Sequence, residues 1–196
     1  MLELHVKKPG RPVSIDKKVI TKKCLEFYSN NGIDNKSFND VIKYAGVSKG
    51  TIYRLYGNED SLQKSVLTEY FNTTMKERLT YWSDFTVREF IMDVTSGLIT
   101  NRYKPCLYFR AKMRKYKLGR ETRRFIGMVD NKLQAAYISI LRNDLIKKNK
   151  EIRAQDIKDL ADFLINSIAT IHVLRLNNSP HKLLSSFSKK LLNNFN

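Results

Sequence analysis

Residues 37–56 constrain the fold more than any other stretch, because they predict two short helices separated by about three residues. Ser37 is a favoured N-cap residue, and the apolar residues after it follow the i, i+3, i+4 and i+7 spacing of an amphipathic helix. Gly46 tolerates the left-handed backbone that ends such a helix, and Ser48 can cap the next one. The spacing is typical of a helix-turn-helix whose first helix is buried through Phe38, Val41, Ile42 and Ala45.

The second of these helices has two contrasting faces. Its apolar face consists of Ile52, Leu55 and Tyr56. Its other side is small and polar at one end and cationic at the other, and carries Lys49, Gly50, Thr51, Tyr53 and Arg54. Such a surface can approach a DNA groove at the glycine, place hydroxyls on phosphates and offer an arginine to a phosphate or a guanine edge. The alternative is that the two cations are ordinary solvated residues.

A further helix is predicted over residues 14–32, ended by the stop signal Asn30-Asn31-Gly32. Its apolar stripe consists of Ile20, Cys24, Phe27 and Tyr28. With this helix in place, the ordered pattern resembles the TetR family of bacterial transcription regulators. The residues that carry the resemblance are Ile20, Tyr28, Gly32, Ser37, Ala45, Gly46, Val47, Ser48, Gly50, Thr51, Tyr53 and Tyr56.

The resemblance implies an all-α fold, in which a homeodomain-like, three-helix helix-turn-helix domain precedes an all-helical ligand-binding and dimerisation domain. The expected boundaries are a basic arm over residues 1–13, a DNA-binding domain over 14–57 and a body over 58–196. It further implies a regulator, most simply a repressor, that binds a pseudo-palindromic operator as a homodimer and is released by a small organic effector. The DNA-binding residues expected are Arg11, Ser37, Ser48, Lys49, Gly50, Thr51, Tyr53 and Arg54.

One departure concerns the start of the fourth helix, where the family usually carries a lysine that contacts a phosphate. Here the segment reads Asn58-Glu59-Asp60. Asn58 is a good N-cap, and carboxylates in a first turn suit the helix dipole. An acidic pair cannot contact a phosphate, however, so a compensating cation is expected from elsewhere in the chain.

The N-terminal arm is one source of that cation. Lys7-Lys8-Pro9-Gly10-Arg11-Pro12 is basic, and its prolines exclude a helix. The Gly-Arg-Pro core resembles an AT-hook, which implies that Arg11 inserts into a narrow minor groove. The alternative is a basic tail that only raises nonspecific affinity.

The net charge of +17 predicts an anionic partner. Residues 1–60 hold only 11 of the 36 basic residues and 7 of the 19 acidic ones, so most of the excess lies in the body. It concentrates in a basic block that faces only Glu121 and contains Arg102, Lys104, Arg110, Lys112, Arg114, Lys115, Lys117, Arg120, Arg123 and Arg124. Three explanations remain open, namely an anionic effector, auxiliary contact with DNA, and a solvated helix face.

Several classes of protein are not expected. The sequence has no apolar run long enough for a membrane span and no secretory signal, so we expect a cytoplasmic protein that does not contact membranes. Two cysteines and three histidines, without ligand spacing, predict neither a disulfide framework nor a metal site. No phosphate loop or nucleophile elbow is present, so neither a cofactor nor enzymatic activity is expected.

The body is predicted to contain helices from Asn58 to about Trp82, from Thr86 to Thr100, through the basic block, and from Glu121 to Lys148. Two more follow, separated by Asn177-Asn178-Ser179-Pro180. The resemblance implies that this last pair forms a four-helix dimer interface, for which we predict Leu160, Leu164, Ser167, Ile168, Ile171, Leu183, Leu184, Phe187 and Leu191. The alternative is that the pair packs on the body of a monomer.

The resemblance also implies an effector pocket among the middle helices. The candidates are Trp82, Phe90, Tyr103, Cys106, Phe109, Tyr137 and His172. Rings with a few polar tips suit an amphipathic organic ligand, and the basic block makes an anionic one conceivable. Two alternatives remain open: the residues form ordinary core, with a closed body controlled by a protein partner or by nothing, or Cys106 senses oxidants.

Overall fold

The computed structural model describes residues 16–33, 36–99, 106–149 and 151–195, and every regular element in these ranges is helical. The first helices are α1 (Lys17–Asn31), α2 (Phe38–Ala45), α3 (Lys49–Tyr56) and α4 (Glu59–Tyr70). A π-helical turn (Phe71–Met75) leads into α5 (Lys76–Tyr81), followed by α6 (Val87–Ile99) and α7 (Leu107–Met113). A 3-10 turn (Lys115–Lys117) precedes α8 (Arg120–Lys147), α9 (Ala154–Leu176) and α10 (His181–Asn193). The all-α prediction is confirmed; residues 1–15, with the predicted arm and Arg11, lie outside the described ranges.

The first three helices, which we call the head, follow the sequence prediction except at the start of α1. That helix begins at Lys17, where Asp16 caps it, rather than at residue 14. Ser37 and Asp40 form a reciprocal capping box at the start of α2, and Gly46 ends that helix with a φ of 71°. The Ser48 hydroxyl accepts a hydrogen bond from the Thr51 amide at 3.1 Å and so caps α3. The ends of α2 and α3 are therefore fixed by contacts within residues 37–51.

The body is built around two long rods. The predicted helix from residue 58 to 82 is present as α4, the π turn and α5 in succession, and Asn58 caps it by accepting from the Ser61 amide at 2.8 Å. The 28-residue α8 packs against both α4 and α9. The helix predicted through the basic block is short, because α7 ends at Met113 and the chain turns before α8.

The dimer-interface prediction needs correction at the residues that face inward. Five of its apolar residues are at most 3% exposed within the protomer, namely Leu164, Ile168, Ile171, Leu184 and Leu191. Helices α9 and α10 bury them against each other and against α6 and α8. Ser167 is likewise buried. Side chains without accessible surface cannot gain burial from a partner, so these residues belong to the protomer core.

The remaining members of that set stay accessible. Leu183 is 48% exposed, and Leu160 and Phe187 are half-buried. Phe163, which the sequence analysis did not single out, is 45% exposed and lies 6.1 Å from the ring of Phe195. The outer faces of α9 and α10 therefore carry large apolar side chains that the protomer leaves in contact with solvent.

Candidate DNA-binding surface and effector cavity

The surface predicted to bind DNA, which we call the recognition surface, is the side of α3 that carries Lys49, Gly50, Thr51, Tyr53 and Arg54. Tyr53 is 43% exposed, and its ring meets the edge of Phe38 at 6.2 Å while the Lys49 ammonium lies 5.8 Å from its centre. Arg54 is exposed beside it. These contacts hold an aromatic ring and two cations on the outward side of a helix that buries Ile52 and Tyr56 beneath them.

Two other predicted DNA contacts are serines whose hydroxyls are already engaged. The Ser37 hydroxyl donates to Asp40 at 2.8 Å, and the Ser48 hydroxyl lies 3.0 Å from that of Thr51. Both side chains are exposed. Their capping bonds orient the starts of α2 and α3, so these two serines have a structural role whether or not they also meet a phosphate.

Gly50 leaves the helix backbone uncovered by a side chain within the recognition surface. A Cβ added there would find no atom closer than the Ser48 hydroxyl oxygen, at 3.8 Å. The protein fold therefore has room for a side chain at this position. A bare helix surface is what close approach to a groove requires.

Helix α4, which directly follows the head, is fastened to α8 by Asp60 in its first turn. Its carboxylate accepts hydrogen bonds from the backbone amides of Glu121 at 2.8 Å and Thr122 at 3.0 Å. The Thr122 hydroxyl donates to the Asp60 carbonyl at 3.0 Å. Partial burial raises the pKa of Asp60, but these hydrogen bonds outweigh it and the pKa is lowered. Asp60 thus satisfies the unpaired amides at the start of α8, a helix that begins some sixty residues later.

This junction, which we call the Asp60 clamp, depends on a glycine. A Cβ at Gly119 would lie 2.1 Å from the Asp60 Cγ and 2.4 Å from each carboxylate oxygen. Glu121 completes the clamp, because its carboxylate accepts from the Ser61 hydroxyl and from Lys64, both at 3.0 Å. A second link lies further along, where Arg110 donates to the Ser29 carbonyl at the end of α1 at 3.0 Å.

A cavity of about 50 Å³ lies in the body between α5, α6, α7, α8 and α9. Five of the predicted pocket residues line it, namely Trp82, Cys106, Phe109, Tyr137 and His172. Phe90 lies behind the wall, with its ring 5.1 Å from Trp82 and 5.0 Å from Tyr137. Tyr103 lies outside the described residues.

Sequence reasoning missed the rest of the cavity wall, which consists of Met75, Arg78, Leu79, Asp93, Val94, Leu133 and Ile168. The sequence analysis places Ile168 in the dimer interface, because an apolar stripe does not reveal which neighbour it faces. Two wall residues are charged, and one of them is held in place, since Asp93 accepts from the Trp82 indole at 2.8 Å. The aromatic and apolar residues of the middle helices were the signal that located the five wall residues predicted from the sequence.

His172 is the polar centre of this apolar cavity. Its ring stacks on Phe109 at 4.5 Å, and its Nδ1 has no hydrogen-bond partner among the described residues. Burial, reinforced by the nearby charge of Arg78, lowers the pKa of His172 from 6.5 to about 4. The imidazole is therefore neutral at physiological pH, with one donor nitrogen and one acceptor nitrogen.

The lowered pKa of His172 predicts that the free energy of unfolding decreases as the pH is lowered. As the pH is lowered, His172 becomes protonated near pH 6.5 in the unfolded chain but only near pH 4 in the folded one. The folded state therefore loses stability as the pH falls from about 6.5 to about 4. Between about pH 7.5 and about pH 5 we expect the wild type to lose about 2 kcal/mol more than His172→Leu. Urea unfolding of both proteins at each pH measures this difference, and equal losses would contradict it.

Cys106 is the second polar group of the wall. It is buried at the start of α7, and its sulfur accepts a hydrogen bond from the Tyr70 hydroxyl at 3.3 Å. Burial is also the main cause of the raised pKa of Tyr70. Tyr70 immediately precedes the π turn, so this bond ties the cavity wall to the helix that continues down to the Asp60 clamp.

No helix in the described parts of the chain combines the length and apolar character needed to cross a membrane. Comparison with protein-family models gives no match. Among curated proteins, the chain is 33% identical over 89 residues to the HTH-type transcriptional regulator YvdT of Bacillus subtilis strain 168, itself uncharacterized. That match spans 43% of this chain and 45% of YvdT, so less than half of the relative is covered.

Solved structures match over nearly the whole chain. The TetR family transcriptional regulator CifR, in a cysteine mutant bound to a 26-bp operator duplex, superposes with a TM-score of 0.76, at 14% identity, over 95% of this chain and 100% of CifR. FadR of Bacillus subtilis, in complex with stearoyl-CoA, superposes with a TM-score of 0.66, at 18% identity, over 90% of this chain and 98% of FadR. The chain therefore has the fold of the TetR family of transcriptional regulators, and the resemblance carried by residues 20–56 is confirmed at the level of fold.

Proposed function

We propose that this protein is a TetR-type transcriptional regulator whose head binds operator DNA. The observation that carries the proposal is the outward face of α3, where Lys49, Tyr53 and Arg54 are exposed beside a glycine on a helix capped at a helix-turn-helix. This set matches what DNA contact needs, since cations and hydroxyls reach phosphates and an arginine can read a guanine edge. The DNA bound by CifR, a protein of the same fold, supports the same use of this surface.

The proposed active form is a homodimer. The outer faces of α9 and α10 leave Leu160, Phe163, Leu183 and Phe187 wholly or partly in contact with solvent. Large apolar side chains concentrated on one pair of helices are typical of an interaction surface. A two-fold axis through them would present two heads to half-sites about 34–36 Å apart, or a multiple of that distance, on a pseudo-palindromic operator.

The proposed effector is a small amphipathic molecule that binds in the cavity. Its wall is mainly aromatic and aliphatic, and the unpartnered His172 Nδ1 calls for one hydrogen bond. A hydroxyl group suits this site, because it can donate or accept and so satisfies either tautomer of a neutral imidazole. The stearoyl-CoA of FadR is a precedent for ligand binding in this fold, but a chain of that length exceeds the space available here.

The small cavity gives the proposal a mechanism. A volume of about 50 Å³ is far below the roughly 300–1,000 Å³ of ordinary ligand pockets, so an effector can enter only a wider form of the body. A ligand that binds the wider form better must shift the equilibrium toward it. If operator DNA favours the narrow form, ligand and DNA oppose each other reciprocally, by about 1–3 kcal/mol in systems of this kind.

The small volume of the cavity also supports an alternative function, namely a regulator without a small-molecule effector. If the body never widens, the protein is a DNA-binding regulator without a small-molecule effector, and a protein partner or its own abundance controls it. The dense aromatic cluster of Trp82, Phe90 and Tyr137 favours this alternative. The two functions share the recognition surface and differ only in the response to ligands.

The test begins with operators selected from random duplexes and measured by fluorescence anisotropy. We expect Arg54→Gln to weaken operator binding about 10- to 100-fold, because glutamine cannot replace the arginine at a base edge or a phosphate. Tyr53→Phe keeps the ring and removes only the hydroxyl, so a loss of about 5-fold or more is expected if that hydroxyl bonds a phosphate. Lys158→Gln, at an exposed lysine of α9, is the charge-matched control and should bind like the wild type.

The outcomes separate the parts of the proposal. Failure of the wild type to select any sequence over scrambled duplexes would reject DNA-binding regulation. Sedimentation of the complex should give two chains per operator, and one chain would reject the homodimer. Small alcohols and phenols that bind the protein should release the DNA; binding without release would favour the alternative function.

A further inference from the structure

We infer that the arginines at the start of α8 form a second DNA-contacting surface, which binds phosphates beside those reached by α3. This inference rests on the proposed DNA-binding function. It assigns a role to the basic block of the body and commits it to nucleic acid. It also identifies the cation that the acidic start of α4 requires from elsewhere in the chain.

The described part of the basic block divides into two sets. Arg110 and Lys112 are structural, because Arg110 donates to the Ser29 carbonyl and Lys112 pairs with Asp130 at 2.6 Å. The second set is exposed and consists of Arg114, Lys115, Lys117, Arg120, Arg123 and Arg124. Bonds within the fold account for the first set, and the inference concerns the last three arginines of the second.

These three exposed arginines share one face of α8. Positions 120, 123 and 124 are i, i+3 and i+4 neighbours, whereas Glu121 and Thr122 point toward α4. Like charges at these spacings repel each other, and cations in a first turn oppose the helix dipole. Asp60 offsets part of this repulsion, because its charge interacts with Arg123, and an external anion would offset more of it.

The Asp60 clamp places these arginines next to the recognition helix. Asp60 lies four residues after the end of α3 and accepts directly from the amide of Glu121, the residue that follows Arg120. The Glu121 carboxylate, the one acid of the basic block, is turned toward α4 and pairs with Lys64. The clamp thus turns Glu121 away from the arginines and brings Asp60 within electrostatic reach of Arg123, while all three arginines stay exposed.

The start of α1 extends the same cationic edge. Lys17 and Lys18 are exposed there, and they line one groove together with Glu121 and Lys64. The starts of α1 and α8 therefore lie on one side of α4. The Lys17 ammonium lies 4.7 Å from the centre of the Tyr56 ring, at the end of α3. A duplex held by α3 would offer phosphates to cations beside that end of the helix.

The test compares two triple variants that remove the same charge. Arg120→Gln/Arg123→Gln/Arg124→Gln removes the proposed surface, and Lys158→Gln/Lys189→Gln/Lys190→Gln removes three exposed cations from α9 and α10. For each protein, the operator affinity and the affinity for a scrambled duplex are measured over a range of salt concentrations. Thermal unfolding of both variants checks the fold.

We expect the arginine variant to reduce the slope of log K against log salt by about 0.9 for each phosphate that it no longer binds, and to weaken binding about 10-fold or more at physiological salt. Its preference for operator over scrambled DNA should hardly change, since phosphate contacts carry no base information. Its melting temperature should stay level or rise, because like-charge repulsion is relieved.

The inference is overturned if the arginine variant has the same salt slope and affinity as the lysine variant on both duplexes. A wild type that prefers no selected sequence would instead reject the proposed function. In that case the slope on the scrambled duplex still tells whether the arginines contact phosphates.

Discussion

Replacing Gly119 with alanine is expected to lower the free energy of unfolding by about 3 kcal/mol, because the new methyl group displaces the Asp60 carboxylate from the Asp60 clamp. The added Cβ would lie 2.1 Å from the Asp60 Cγ, a distance no real contact tolerates. The carboxylate can move aside only by giving up its bonds to the Glu121 and Thr122 amides. Each charge-assisted bond is worth about 1.5–3 kcal/mol, which sets the expected size.

A double-mutant cycle shows whether the clamp is the cause. Asp60→Ala removes both the carboxylate and the clash, so Gly119→Ala should add little when placed on that background. Urea unfolding of the wild type, the two single variants and the double variant measures the coupling. Additive losses would mean that Gly119 is required for its backbone rather than for the clamp.

Replacing Gly50 with alanine is expected to raise the free energy of unfolding and to weaken operator binding. Alanine is the better helix former, by about 0.8–1 kcal/mol in a helix interior and by less in the first turn that holds Gly50. The structure has open space at this position, so the variant should unfold at slightly higher urea. Its methyl group would stand in the middle of the recognition surface and hold the helix away from the groove. We expect operator affinity to fall at least about 10-fold, which corresponds to about 1.4 kcal/mol of binding free energy.

Gly127 supplies the matched control for this prediction. It lies inside α8, and a Cβ added there meets no atom within 4 Å. Gly127→Ala should therefore gain at least as much stability through helix propensity and leave operator affinity unchanged. If Gly50→Ala binds operator as well as Gly127→Ala does, α3 does not approach DNA through Gly50.

The features that the sequence predicted well are those decided locally. Ser37, Ser48 and Asn58 cap helices because each has a backbone amide within three residues to bond, and the sequence displays both partners. Gly46 adopts positive φ for an equally local reason. The resemblance to a known fold then supplied the order of helices that local signals alone leave open.

Asp60 illustrates what local reasoning could not reach. Its sequence neighbours predict a carboxylate that favours the start of its own helix, whereas its oxygens bond the start of α8. The same reason explains why several residues predicted for a dimer interface on α9 and α10 are buried within the protomer instead. Periodicity shows that Leu164 and Ile168 share a buried stripe, but both sides of α9 are apolar, and only the packing decides which side faces α8.

The π turn at Phe71–Met75 had no sequence signal either, since it contains no proline or glycine. Its consequence extends beyond this one molecule. A turn bonded from i to i+5 holds one residue more than an α-helical turn, so it rotates everything after it by about 100° relative to α4. Arg78 and Trp82, which follow the turn, line the cavity from this rotated phase. When this chain is aligned with relatives whose corresponding helix is regular, a one-residue gap belongs within 71–75, and an ungapped alignment would equate cavity residues with surface ones.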